Sequence, residues 1–172
     1  SSGVHANGFS LVRKIIEVSK TDLATSVDGM AEPLGTMLMQ PTRIYHKAAQ
    51  AARMAGDVTG VCHVTGGGLV ENPPRVYGED LALELDCSSW SLPPLFEWLA
   101  KAGNIAPLEL ARTFNCGIGM LLFVDEGCAD ECLAALQQGP EPDAWIAGRL
   151  VEREHGSASV SFGGLDAWPS PV

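Results

Sequence analysis

Apolar positions recur with helical spacing from Gly8 to Ser19. Phe9, Leu11, Val12, Ile15, Ile16 and Val18 share one broad face, and Arg13, Lys14 and Glu17 lie opposite, so the pattern predicts an amphipathic helix. Residues 21–33 are polar with two helix breakers, which predicts a loop or short turn, and Met37 to Met39 leads into Pro41. Thr42 to Lys47 alternates well enough for a strand, although it also suits the start of a helix. Ala48 to Met54 is alanine-rich and helical, ending at Gly56. Val58 to Val64 is β-branched and apolar and predicts a strand. Leu69 to Val76 suits a short helix or turn limited by Pro73 and Pro74. Leu81 to Leu85 alternates as a strand. Pro94 to Ala102, stopped by Gly103, and Leu108 to Thr113 read as helices.

The run CGIGMLLFV, residues 116–124, is the most apolar of the chain and predicts a central strand covered on both faces. Ala129 to Gln138 predicts an amphipathic helix. Ala144 to Glu152 and Ser157 to Phe162, with His155-Gly156 between them, predict a β-hairpin. The tail after Gly164, residues 165–172, is expected to fray, leaving one domain over residues 1–164. Strands alternate with helices in irregular order. That favours an α+β fold, an α/β sandwich with one mixed β-sheet and helices packed on it, over a regular doubly wound one.

Composition narrows the partners. With 172 residues and 46% hydrophobic content the chain holds a real core and is not disordered. No apolar stretch reaches the roughly 18 to 20 residues that a membrane span requires. The first residues, SSGVHANGFS, lack a basic start and an apolar core, which predicts a cytoplasmic protein with no membrane partner. Eleven Lys and Arg against 21 Asp and Glu give a net charge of −10, a poor match to a phosphate backbone, so nucleic acid is not an expected partner. A small phosphorylated ligand is compatible, because it needs only local N–H groups and one or two cations. The five cysteines are odd in number and include no C-x-x-C, which argues against a disulfide framework. Cys128 and Cys132, four apart on a predicted helix, suit either a metal pair or buried small apolar side chains, the commoner role.

Four stretches carry candidate chemistry. In SSGVHANGFSLVRK, the residues His5, Asn7, Gly8 and Ser10 precede or open a helix whose unpaired N–H groups suit an anion, or Asn7 and Ser10 simply cap it. In PTRIY, Arg43 can fork onto a phosphate or carboxylate, or pair with a surface acid. In HVTGGGLVENPPR, His63 ends a strand where ligand crevices open, and Thr65, Gly66, Gly67 and Gly68 follow, with Asn72 within reach. Three consecutive glycines weaken a segment unless a turn with positive φ or a ligand's close approach requires them. A strand-end histidine is also commonly a hydrogen-bonded structural residue. In FNCGIGM, Gly117 and Gly119 leave one strand face bare for a ligand or for tight packing. No dinucleotide fingerprint, Walker loop, zinc pattern or nucleophile elbow is present.

These four motifs, in this order, resemble the C-terminal domain of the aminoimidazole ribonucleotide synthetases, the phosphoribosylformylglycinamidine cyclo-ligases. The resemblance runs from Ser1 to about Arg149. Cys116 stands where that family usually has Met, and Ala6 where it often has Ser. The resemblance implies an enzyme of de novo purine synthesis. ATP with Mg²⁺ activates the amide oxygen of formylglycinamidine ribonucleotide, the amidine nitrogen attacks that carbon, phosphate leaves and the imidazole ring closes. It implies that an N-terminal domain, absent from this chain, forms a homodimer and binds most of the ATP and Mg²⁺. The isolated chain is then expected to be inactive. His5, Asn7, Gly8, Ser10, Arg43, Thr65, Gly66, Gly67, Gly68 and Asn72 become substrate-binding candidates, and His63 the candidate for hydrogen bonding or proton transfer in ring closure. The rival expectations are a non-catalytic ligand-binding or regulatory module of the same fold, and a kinase-like or selenophosphate-type enzyme of the same superfamily.

Overall fold

The structure is a computed structural model that describes residues 1–171. Helix α1 (Phe9–Ser19) begins after Gly8, whose φ of 76° turns the chain into it, and ends at Lys20. Its apolar stripe buries Val12 and Ile15, and it packs on α5 (Pro94–Gly103), which buries Leu95, Phe96, Leu99 and Ala100. Helix α2 (Leu34–Leu38) lies where the sequence pattern showed none. Its two buried leucines, four apart, anchor little more than one turn, too short for a period to register. Helix α3 (His46–Ala55) settles the ambiguity at residues 42–47. Thr42 to Tyr45 has no regular structure, and the alanine-rich helix reaches back to His46.

The α+β class holds, with one mixed sheet, but the strands divide between two sheets. Strand β1 (Val58–His63) pairs antiparallel with β3 (Met120–Val124), placing His63 opposite Met120. In the second sheet β2 (Leu81–Asp86) is central, antiparallel to β4 (Gly148–Glu152) and parallel to β5 (Val160–Gly163). The predicted hairpin is therefore opened: β4 and β5 run in opposite directions but flank β2 instead of pairing. Gly156 turns the connection at φ 81°, and Arg153 Nε donates to the Ser157 carbonyl at 2.9 Å to hold it.

The apolar run 116–124 is not a central strand. Cys116 (φ 49°) and Gly117 (φ 99°) are left-handed, and Asn115 Oδ1 accepts from Gly117 N–H at 2.9 Å, so a turn takes the first residues and the strand starts at Met120. Among the described residues strand β3 pairs only with β1.

Helices α4 (Gly68–Glu71), α6 (Pro107–Thr113) and α7 (Ala129–Gln137) complete the domain. A 3₁₀ turn at Pro73–Arg75 follows α4, which packs on α6, and α7 packs on α3. Phe96, Phe114, Leu69, Leu85, Leu99 and Leu110 are fully buried at the centre, with the Phe96 and Phe114 rings 6.1 Å apart. The tail does not simply fray. After a turn at Leu165–Ala167, Trp168 is buried and stacks edge-on against Trp90 at 5.7 Å. Among the described residues no helix is long and apolar enough to cross a membrane.

Candidate functional site

Three separate segments bring aromatic rings to one place. The first loop holds His5 at φ 56°, the segment before α3 ends in Tyr45, and β1 ends in His63. The ring centroids are 6.2 Å apart for His5 and Tyr45, 6.3 Å for His5 and His63, and 6.0 Å for Tyr45 and His63. His63 faces solvent, with His5 and Tyr45 buried behind it. Gly119 makes the room: a Cβ there would fall 1.8 Å from the Tyr45 hydroxyl. The bare strand face seen in FNCGIGM thus accommodates Tyr45, while Gly117 lies against Pro93.

Two of these rings carry polar atoms with nothing to bond. Ser2 N–H donates to His5 Nε2 at 3.4 Å, which leaves the ring proton on Nδ1. That Nδ1 is buried and unpartnered among the described residues, as is the Tyr45 hydroxyl. Burial is the main force lowering the His5 pKa to about 4, helped by the positive charges of the amino terminus, His63 and Arg43, so the ring is neutral near pH 7. Burial raises the Tyr45 pKa, keeping its proton in place. Each unmade bond of a buried donor costs about 1–3 kcal/mol. An acceptor brought within reach of either atom removes that cost. A cation stands close by: Arg43 Cζ lies 5.7 Å from the Tyr45 ring centroid, and its Nη2 meets Glu141 Oε2 at 2.8 Å.

The three glycines divide by role. Gly68 (φ 56°) is pressed against the end of α6, where a Cβ would meet the Ala111 carbonyl oxygen at 2.1 Å. Gly67 (φ 98°) makes the turn, with Glu71 Cβ 2.9 Å from its Cβ position. Gly66 has no left-handed strain and its Cβ position meets only Asn7 Oδ1, at 3.5 Å, so it alone presents open backbone. Asn72 braces the loop from inside. Its Oδ1 accepts from Thr65 N–H at 2.5 Å and from Thr65 Oγ1 at 3.2 Å, and its Nδ2 donates to the Gly66 carbonyl at 2.8 Å.

At the start of α1 the first intrahelical bond runs from Val12 N–H to the Gly8 carbonyl, and no side chain caps the helix, so the N–H groups of Phe9, Ser10 and Leu11 have no helical acceptor. Gly8 itself serves packing, since a Cβ would strike the Phe114 ring at 2.3 Å. Ser10 is exposed on the first turn.

Of the residues singled out from sequence, His5, Asn7, Arg43, His63 and Gly66 gather around one corner. Thr65 and Asn72 shape the loop, and Gly8 and Gly68 are packing glycines. Tyr45 and Asn115 were overlooked, although both sit inside quoted motifs; an oxygen-bearing ring beside Arg43 was the available signal. Asn115 is buried, accepts from Ser1 Oγ at 2.8 Å, and donates to the Gly3 carbonyl at 2.8 Å, tying the first loop to the turn before β3. Cys128 and Cys132 pack against α3: a Cβ on Gly56 would lie 2.6 Å from Cys128 Sγ, and Cys132 Sγ donates to the Ala52 carbonyl at 3.5 Å. Among the described residues no group of three or more His, Cys, Asp or Glu is placed to hold a metal ion.

The chain that builds this corner matches a family model along most of its length. The match, "AIR synthase related protein, C-terminal domain", spans residues 1–161, and the chain belongs to that family. Among curated proteins it is 44% identical over 165 residues to the phosphoribosylformylglycinamidine cyclo-ligase of Aromatoleum aromaticum, covering 95% of this chain and 47% of that protein. It is 48% identical over 160 residues to the cyclo-ligase of Burkholderia cenocepacia, covering 93% of this chain and 45% of the relative. It is also 43% identical over 166 residues to the trifunctional purine biosynthetic protein adenosine-3 of Gallus gallus, 96% of this chain and 16% of the larger protein. The chain thus spans about half the length of its bacterial relatives.

Proposed function

We propose that this chain is the substrate-side, carboxy-terminal domain of a phosphoribosylformylglycinamidine cyclo-ligase, which converts formylglycinamidine ribonucleotide to aminoimidazole ribonucleotide. The observation that carries the reading is the pair of buried, unpartnered polar groups, His5 Nδ1–H and the Tyr45 hydroxyl, on rings 6.2 Å apart in a chain 44–48% identical to cyclo-ligases along nearly its whole length. Ring closure needs an amide oxygen held and polarised while the amidine nitrogen attacks. Neutral His5 and Tyr45 supply hydrogen bonds to such an oxygen. Gly66 and the open N–H groups of α1 receive the phosphate end, with Arg43 as the nearby cation. His63, exposed at the rim, accepts or returns the proton that the amidine loses.

ATP supplies the phosphoryl group that makes the amide oxygen a leaving group. By family resemblance, most of the nucleotide and Mg²⁺ contacts are assigned to the half of the enzyme outside this chain. The same reading makes the full-length enzyme a cytoplasmic homodimer and this domain inactive alone. The test is His63→Ala in the full-length enzyme. A fall in kcat of at least about a hundredfold is expected for a positioned proton carrier, and unchanged turnover removes His63 from the reaction.

A further inference from the structure

The guanidinium at the corner is held by an acid 98 positions away in sequence. Thr42 to Tyr45 has no regular structure, so no helix or strand fixes the direction of the Arg43 side chain. Two side-chain contacts do. The guanidinium carbon lies 5.7 Å from the Tyr45 ring centroid, and Nη2 donates to Glu141 Oε2 at 2.8 Å. Either contact alone leaves a long side chain free to turn, whereas the two together fix the plane of the fork. A guanidinium carries five N–H donors and the bond to Glu141 occupies one, so donors remain for an anion.

Glu141 is itself anchored. It lies in the turn after α7, between Pro140 and Pro142, which restrict the backbone on both sides. Its N–H donates to the Leu136 carbonyl at 2.9 Å, and its carbonyl accepts from Ala144 N–H at 3.0 Å. Gln137 Nε2 donates to the Ala144 carbonyl at 2.8 Å and closes the turn. The Glu141 side chain is 19% exposed against 45% for Arg43, so the carboxylate is the fixed partner and the guanidinium the guided one. An ion pair this open to water adds little to folding. Near an anion site it acts in two opposed ways: its charge repels the anion, and its grip spares the arginine the loss of rotamer freedom on binding. The repulsion is screened at a half-exposed site, and the guanidinium stands between the two negative groups, so the grip is the larger effect.

We propose that Glu141 is a positioning residue of the reaction, holding the Arg43 guanidinium against Tyr45 so that its remaining donors meet the phosphate of the ribonucleotide already oriented. The inference rests on the proposed function, which makes Arg43 the cation for that phosphate.

Steady-state kinetics on the full-length enzyme test it. Glu141→Gln is expected to raise KM for formylglycinamidine ribonucleotide about tenfold, with kcat and the KM for ATP within about twofold. Glu141→Asp, which keeps the charge one methylene short, should raise it only about threefold. Both effects should vanish on an Arg43→Ala background, whose own KM is raised at least as far as that of Glu141→Gln. A raised KM in Arg43→Ala with an unchanged or lowered one in Glu141→Gln overturns this proposal and leaves the functional reading standing. Effects that multiply independently in the double variant overturn it as well. An unchanged KM in Arg43→Ala overturns the phosphate assignment and this proposal with it. Should Glu141→Gln fail to fold, the cycle of Glu141→Asp with Arg43→Ala decides by the same criteria.

Discussion

The triple glycine invites a direct dissection. At Gly68 an alanine must adopt φ 56° and place its Cβ 2.1 Å from the Ala111 carbonyl oxygen and 2.8 Å from those of Arg112 and Phe114, all backbone. The left-handed conformation costs about 1–2 kcal/mol, and forcing the α6 terminus away adds about 1–3 kcal/mol. Loss of glycine's freedom in the unfolded chain returns at most about 1 kcal/mol. Gly68→Ala is therefore expected to destabilise the domain by about 3 kcal/mol, a drop of roughly 1.5 M in the urea midpoint for a slope near 2 kcal/mol/M. Gly66→Ala has ordinary backbone and its nearest neighbour, Asn7 Oδ1, at 3.5 Å, so its stability change is expected within about 0.5 kcal/mol. Under the proposed function its methyl group is expected to raise KM for the ribonucleotide with the fold intact, by covering the open backbone. Urea titrations of the full-length variants, followed by steady-state kinetics, separate the two effects. A midpoint shift below 0.5 M for Gly68→Ala, or equal destabilisation by Gly66→Ala, refutes this division of labour.

Tyr45→Phe removes a buried hydroxyl without a partner, so the ligand-free domain should gain up to about 1 kcal/mol in thermal unfolding while substrate affinity falls; a loss of stability would reveal a bond to the hydroxyl. His5, with its folded pKa near 4 against 6.5 for the free side chain, resists protonation when folded. The unfolded chain then binds more protons between those values, so stability declines as pH falls from about 6.5 to about 4 and levels below it. The full shift corresponds to roughly 3 kcal/mol, and screening of the exposed charges near His5 reduces the expected change to about 2 kcal/mol. His5→Gln should flatten that slope in unfolding measured across the range, and an unchanged slope assigns it elsewhere. Asn72→Ala deletes the bonds to Thr65 and to the Gly66 carbonyl, with an expected loss of about 2–3 kcal/mol and a turn that exchanges its amides freely; full retention of stability would show that the loop stands without its brace.

Much of the secondary structure was legible because the patterns were long enough. α1, α5, α7, β1 and β2 each carry an apolar period or a β-branched run that burial enforces. The errors share a cause: side-chain patterns do not encode which edges pair. CGIGMLLFV is apolar enough for a central strand, yet Asn115, Cys116 and Gly117 fold its start into a turn. The hairpin signal around His155-Gly156 was real as a reversal, but β2 takes both strands as partners. The motifs carrying His5, Arg43, His63 and Gly66 meet at one corner although they are far apart in sequence. The packing duties of Gly8 and Gly68, and the internal role of Asn72, depend on neighbours distant in sequence. Tyr45 was hidden for the same reason: its ring needs the space that Gly119 leaves, 74 positions later.

The seating of Trp168 on Trp90 has a practical corollary for where this domain stops. Trp90 also lies 6.0 Å from Trp145, and its Nε1 donates to the Cys116 carbonyl, so the indole of the last turn leans on the wall of the bend that opens β3. Cutting the chain at the end of the family match, residue 161, discards a strand end together with a plug of the interior. Expression boundaries should run beyond position 168, and emission from these three indoles offers a local gauge of whether that plug is home.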